Sequence, residues 1–206
     1  MKKIPTIFQK NPENLGRVMN TPPMEGIHHF KIKIDGTACM IKDGKPYCRY
    51  DAKLFRKKKG KIITYTIDEV KSKLPNGAIP CQEPDEKSGH WPHWVPVEED
   101  NPSQKYILEG FLNLKEKVDG TYECIGPKLQ GNPHNEDKHH WIPHFSEKLI
   151  FDVDNVSFSY FENLFKDFSF EGFVAYNEKQ EPIGKIRRND FGYEKITYTK
   201  ISSLFE

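Results

Sequence analysis

The stretch His28-His29-Phe30-Lys31-Ile32-Lys33-Ile34-Asp35-Gly36-Thr37 alternates apolar and polar side chains up to an Asp-Gly pair. That is the pattern of a half-buried β-strand ending in a turn. Thr37 to Ile41 resumes the alternation, and Asp43-Gly44 then leads into Pro46 to Tyr50, so the whole reads as a strand followed by a β-hairpin. Working outward, Ile62 to Thr66, Thr121 to Ile125, Glu171 to Tyr176 and Ile183 to Arg188 are rich in β-branched and aromatic residues and predict further strands. Helical spacing of apolar residues occurs in Ile67-Val70-Leu74, Ile107-Phe111-Leu114 and Val156-Tyr160-Leu164. Strands and helices follow in mixed order rather than as regular βαβ units, so the expected class is α+β with largely antiparallel sheets. Gly and Pro concentrate in Asn20 to Gly26, Pro75 to Pro102 and Gly126 to Pro143, which read as long loops.

With 31 Lys+Arg against 30 Asp+Glu in 206 residues the net charge is +1, which excludes a polycationic nucleic-acid coat and an acidic tail protein. The length suits one domain or two small ones, and we expect a single domain over residues 1–206. Aliphatic content is modest, but 14 Phe and 9 Tyr supply a core, since each aromatic buries roughly 150–250 Å², so disorder is excluded. No run approaches the ~20 apolar residues of a membrane span, and Met1-Lys2-Lys3-Ile4-Pro5 leads into polar sequence rather than a signal peptide. A cytosolic or nuclear protein with no membrane and no obligate protein partner is expected. Cys39, Cys48, Cys81 and Cys124 include no CxxC and fit reduced thiols better than a disulfide frame or zinc ribbon. Cys81, His90 and His93, or His140 with His144, could suggest zinc, but Pro92 and Pro143 argue against helical ligand spacing, so structural or ligand-contacting histidines are the better reading.

Five short elements carry the chemistry. Lys33-Ile34-Asp35-Gly36 is a weak signal alone, but Arg49-Tyr50-Asp51, Thr121 to Lys128 with Glu123, Glu171-Gly172-Phe173-Val174 and Lys185-Ile186-Arg187-Arg188 follow it in order. Lys185 and Arg187, two apart on a strand, face one side and can grip one phosphate, while Arg188 points away. The basic run Lys53 to Lys61 is either a solvated turn or a phosphate-binding or nuclear-import patch. Asp190-Phe191-Gly192 matches a kinase metal motif, but without a Gly-rich loop or His-Arg-Asp segment it reads as packing at a strand end.

These elements resemble the covalent nucleotidyltransferase superfamily of nucleic-acid ligases and mRNA capping enzymes. The resemblance is closer to the single-domain ATP-dependent RNA ligases related to the vertebrate 5′-to-3′ RNA ligase. It is carried by Arg49-Tyr50-Asp51-Ala52-Lys53, Ile79 to Asp85, Gly89-His90-Trp91-Pro92, Trp94-Val95-Pro96-Val97 and Gly126-Pro127-Lys128 with Gly131-Asn132-Pro133, and spans roughly Gly26 to Gly192. It implies an α+β nucleotidyltransferase domain of the ligase adenylation type, related to ATP-grasp, with antiparallel sheets, flanking helices and no OB domain. It also implies an enzyme that forms a lysyl-AMP intermediate, adenylates an RNA 5′-phosphate and joins it to a 3′-hydroxyl, with ATP and Mg²⁺ or Mn²⁺ as requirements. Only Asn189 to Glu206 follows the basic pair, too short for an OB domain.

Within that resemblance Lys33 is the expected nucleophile, with Lys185 and Arg187 as neighbours that would lower its pKa. Lys185, Arg187 and Arg49 would balance phosphate charge. Glu171, then Asp35, are the expected metal ligands. Asp35, Gly36 and Glu123 would help hold the nucleotide, Glu123 through ribose hydroxyls or an outer-shell water. Val174 would form one wall of the base site, and His144 or Phe145 the other. Much of the superfamily carries lysine where this chain has Arg187, whose permanent charge suits phosphate clamping but not proton transfer. A GTP-using capping-type guanylyltransferase and a non-catalytic RNA-end binding module are the alternatives.

Overall fold

A computed structural model describes residues 3–58, 60–85 and 88–205. Along the chain come β1 (His29–Lys33), β2 (Thr37–Lys42), β3 (Lys45–Lys53), β4 (Phe55–Lys58), β5 (Lys61–Thr64) and α1 (Ile67–Lys71). These are followed by β6 (Ile79–Pro80), β7 (His90–Pro96), α2 (Lys105–Leu112), β8 (Gly120–Ile125) and β9 (His140–Pro143). The chain ends with β10 (Ile150–Phe151), α3 (Phe158–Asp167), β11 (Gly172–Tyr176) and β12 (Pro182–Arg187). The pairs β1–β10, β1–β11, β11–β12, β2–β3, β2–β8, β3–β7, β4–β5 and β6–β7 are all antiparallel, so the fold is α+β as the mixed element order suggests. Among the described residues no helix is long and apolar enough to cross a membrane.

The chain divides into two compact units. One, residues 37–124 and 138–144, holds a six-stranded sheet in the order β6-β7-β3-β2-β8-β9 and the β4-β5 pair. Its central hairpin turns at Asp43 and Gly44, both at positive φ, with their N–H groups donating to the Asp119 carboxylate at 2.8 and 3.1 Å. That is the two-residue turn that Asp-Gly favours. Helix α1 starts at a capping box in which Thr66 and Glu69 exchange side-chain and backbone hydrogen bonds.

Two loops expected from their proline content contain strands instead. Pro75 to Pro102 includes β6 and β7, and β7 pairs with β3 from His90 to Pro96 while burying Trp91, Trp94 and Val95. Its prolines cost few ladder bonds because β6 pairs with β7 at only two positions. Likewise the end of Gly126 to Pro143 forms β9, an edge strand that buries Trp141 and Ile142 and stops at Pro143. Aromatic burial outweighs the local proline signal in both.

The second unit, residues 3–36, 125–137 and 145–205, holds the sheet β10-β1-β11-β12 and α3. Ser157 caps α3, accepting from the Tyr160 N–H, and the i, i+4 pair Phe161 and Phe165 is fully buried. These rings pack on Phe30 and Phe173 from one face of the sheet. Phe8, Phe168 and Phe191 complete the aromatic core. The exposed edge of β12 is partly closed by the segment Pro5 to Ile7, whose backbone exchanges hydrogen bonds with Lys185 at 2.9 and 3.0 Å.

Candidate active site

Strand register decides which side chains meet. Lys33 lies opposite Gly172 and Gly172 opposite Arg187, while Lys31, Val174 and Lys185 form the next row. Because side chains alternate, Phe30, Ile32, Phe173 and Ile186 go to the aromatic core, and Lys31, Lys33, Val174, Lys185 and Arg187 share the other face. Gly172 is a steric requirement: a Cβ there would fall 2.0 Å from the Ile186 carbonyl oxygen.

Glu171, just ahead of β11, pairs with Lys33 at 2.6 Å between Oε2 and Nζ. Burial raises the pKa of Glu171 against the opposing pull of Lys33. Lys185 is pushed down from 10.5 to about 8, first by burial and then by the charges of Arg187 and Lys33. Asp35 follows β1 and immediately precedes Gly36. Its carboxylate pairs with Lys195 at 2.6 Å, and its backbone N–H donates to Nε2 of the fully buried His134 at 3.1 Å. The other nitrogen of that ring, Nδ1, therefore donates to the Thr199 carbonyl at 3.1 Å. Asp35 and Glu171 line one cavity of about 200 Å³ together with Tyr193, Lys195 and Tyr198. Burial and these two carboxylates push the Tyr198 hydroxyl up to about 12.

Arg187 is held by Asp190, which accepts from its Nε at 3.2 Å, its Nη2 at 3.0 Å and its backbone N–H at 2.9 Å. Lys10 adds a 2.6 Å ion pair to the same carboxylate. Burial alone would raise the pKa of Asp190, but Arg187 and Lys10 hold it below the usual range. Asp190-Phe191-Gly192 is thus more than packing at a strand end: Phe191 joins the core, but Asp190, in a 3₁₀ turn over Arg188–Phe191, fixes Arg187. Arg188 points away as alternation requires, donating to the Phe165 and Phe168 carbonyls.

Lys33, Asp35, Gly36, Glu171, Val174, Lys185 and Arg187 therefore lie in one unit, with the charged members coupled. Arg49, Glu123 and His144 belong to the other. There, the Arg49 guanidinium lies 6.0 Å from the centre of the Trp94 ring. Glu123 is buried and bonds His144 Nε2 at 3.1 Å, while Thr121 Oγ1 meets Nδ1 at 3.1 Å. With both nitrogens engaged, the imidazole is fixed in orientation.

Of the histidines and cysteine considered for zinc, His90 pairs with Asp51, and the buried His93 contacts the Trp91 carbonyl through Nδ1 at 2.8 Å. Among the described residues no three His, Cys, Asp or Glu gather in a metal-holding group. The basic run splits between β4 and β5, with Lys57 opposite Ile62. Lys59 and the side chains of Lys57 and Lys58 lie outside the described residues. Sequence reasoning missed Lys31, Lys195, His134 and Asp190. For Asp190 the i, i+3 spacing from Arg187 is a usable signal, and Lys31 shares the alternation of Lys33. His134 and Lys195 meet Asp35 only through the fold.

No family model matches the chain. It is 27% identical over 162 residues to RNA ligase 1 of Rattus norvegicus, an alignment covering 55% of this chain and 50% of that protein. The chain thus spans about half the length of this curated relative.

Proposed function

We propose that the chain is an ATP-dependent RNA ligase acting through a lysyl-AMP intermediate. The observation that carries this reading is Lys33 paired with Glu171 beside the half-buried cations Lys185 and Arg187 on one sheet face. The relative named RNA ligase 1 supports the choice of RNA as substrate.

In the first step neutral Lys33 Nζ attacks the α-phosphorus of ATP. A P–N bond forms, the P–O bond to the β-phosphate breaks, pyrophosphate leaves with the bonding electrons, and the attacking amine gives up one proton to solvent. An oxygen of an RNA 5′-phosphate then attacks the same phosphorus, and the P–N bond breaks as the nitrogen takes up a proton from solvent to return the amine. Finally a 3′-hydroxyl loses its proton, its oxygen attacks the 5′-phosphorus, and AMP departs as the strand is sealed.

Lys185 and Arg187 balance the charge on the transferring phosphate, and Asp190 fixes the orientation of Arg187. Val174, between Lys31 and Lys185 in the sheet, offers an apolar surface to the nucleotide; Arg49, Glu123 and His144, in the other unit, are each proposed as nucleotide-binding residues. Glu171 and Asp35 fit a hard divalent cation: both are oxygen donors on one cavity, and each now holds an ammonium group as counter-charge. Bound there, Mg²⁺ or Mn²⁺ would neutralise phosphate charge and, by competing for Glu171, favour the neutral form of Lys33.

The test is strand joining. A 5′-phosphorylated, 3′-hydroxyl single-stranded or nicked RNA should be converted to a circular or longer product with ATP and Mg²⁺. Joining with GTP alone, or no product from 5′-phosphate ends, would overturn the reading.

A further inference from the structure

Strand β3 places Tyr50 on the same face as buried Ala52, and Tyr50 is 37% exposed. Tyr65 returns beside this strand, its N–H donating to the Leu54 carbonyl at 2.6 Å, and packs against the small core of Ala52, Val70 and Trp91. The result is a cavity of about 130 Å³ with Tyr50 and Tyr65 in its wall and Lys53, Arg56 and Lys73 around it. Among the described residues no carboxylate lines it. Lys73 Nζ sits 4.7 Å from the centre of the Tyr65 ring. Among the described residues none of the three cations is in salt-bridge contact with a carboxylate. Glu69, one turn before Lys73, directs its carboxylate to the Thr66 N–H at 2.7 Å.

Lys53 and Arg56 also border a wider hollow of about 690 Å³, lined by Phe55 and Ile62. Ile62 is 68% exposed. The ring of Phe55 lies where a Cβ at position 89 would sit, within 2.7 Å, so Gly89 is what gives it room. Two shared cations thus stand between a tyrosine-lined cavity and a Phe/Ile-lined hollow.

From this juxtaposition we infer a binding subsite for single-stranded RNA, taking two successive nucleotides with the phosphate between them on Lys53 and Arg56. One base stacks on Tyr50 beside Tyr65 and Lys73, and the next lies against Phe55 and Ile62. Aromatic side chains beside several cations suit a strand whose bases are unpaired, whereas a duplex presents only its phosphates there. A chain of net charge +1 has no general attraction for a polyanion, so a concentrated patch of this kind is required. The identity of the strand as RNA rests on the ligase reading; the cavity and its charge do not.

The experiment is fluorescence anisotropy of a labelled 5′-phosphorylated oligouridylate with the full chain over a salt series. Comparison probes are a duplex RNA and poly-glutamate, and wild type is compared with Tyr50→Ala, Tyr50→Phe, Lys53→Ala and Arg56→Ala. Thermal melting establishes that each variant is folded. Tyr50→Ala should weaken single-strand binding about tenfold with the salt slope retained, and Tyr50→Phe should restore it. Lys53→Ala and Arg56→Ala should each make the log–log salt slope shallower by about 0.7. Wild-type binding by all folded variants, no binding by wild type, or equal competition by poly-glutamate would overturn the subsite, the last marking an acidic-protein docking surface instead. Self-adenylation of wild type, measured separately without RNA, fails only if the ligase reading fails.

Discussion

Replacing Lys185 with methionine should stabilise the protein while abolishing adenylation. Methionine keeps an unbranched apolar stem and removes the ammonium group. In the fold that group is driven from 10.5 to about 8 by burial, Arg187 and Lys33. At about 1.36 kcal/mol per pH unit, holding the proton at neutral pH costs about 3 kcal/mol before solvent screening. Lys185 is only half-buried, and water reaching the ammonium reduces the expected gain to about 1–2 kcal/mol. For a chain of this length that corresponds to a rise in Tm of about 2–8 °C at pH 7. The sign with pH is opposite to that of an ordinary paired lysine. Between about pH 8 and 10.5 the unfolded chain binds the proton that the folded state has released, so wild-type stability gains from this group as pH rises through that window. The assay is thermal unfolding of both proteins at pH 7 and near pH 10, with self-adenylation measured at pH 7. The gap between the two melting curves should be largest at pH 7 and close towards pH 10. A variant less stable than wild type at pH 7, or a gap independent of pH, would refute the account of Lys185 as a cation held at the fold's expense for a phosphate.

Lys33→Arg should lose the adduct as fully as Lys33→Ala, since arginine keeps the charge but is never a neutral nucleophile; mass spectrometry of the protein after incubation with ATP checks this. Asp190→Asn should release Arg187 and Lys10 and raise the KM for ATP in adduct formation, and stability from Asp190 should be present above about pH 4 and lost on acidification, as its depressed pKa requires. An acid titration of unfolding in wild type and variant reads that difference. His134→Ala leaves the Asp35 N–H and the Thr199 carbonyl without their shared partner and should cost about 1–3 kcal/mol, measured by urea denaturation.

Much of the site is legible because a strand has only two faces. Once Lys33, Glu171-Gly172 and Lys185-Ile186-Arg187 are placed on strands, alternation sends Lys33, Lys185 and Arg187 one way and Ile32, Phe173 and Ile186 the other, as the structure has them. The hairpin at Asp43-Gly44 is legible from turn chemistry alone. What escapes local reading depends on long-range packing. His134 reaches the Asp35 N–H across 99 residues. Strand β7 is hidden by Pro92 and Pro96 because its stability comes from burying Trp91 and Trp94, which no window over the segment itself reports. Arg187 could be assigned to phosphate from its charge, but its orientation comes from a 3₁₀ turn that brings Asp190 back onto it.

The central claim is that Lys33 takes AMP onto its amine before any RNA is engaged. The direct measurement is incubation of the purified chain with α-labelled ATP and Mg²⁺ without RNA, denaturation in detergent at alkaline pH, proteolysis at the same pH and mapping of the labelled peptide. The account predicts one AMP on the peptide containing Lys33, stable to alkali and released by acid as a P–N bond requires, formed from ATP in preference to GTP and removed by added pyrophosphate. Absence of an adduct, a guanylate in its place, or AMP on any residue other than Lys33 would contradict it.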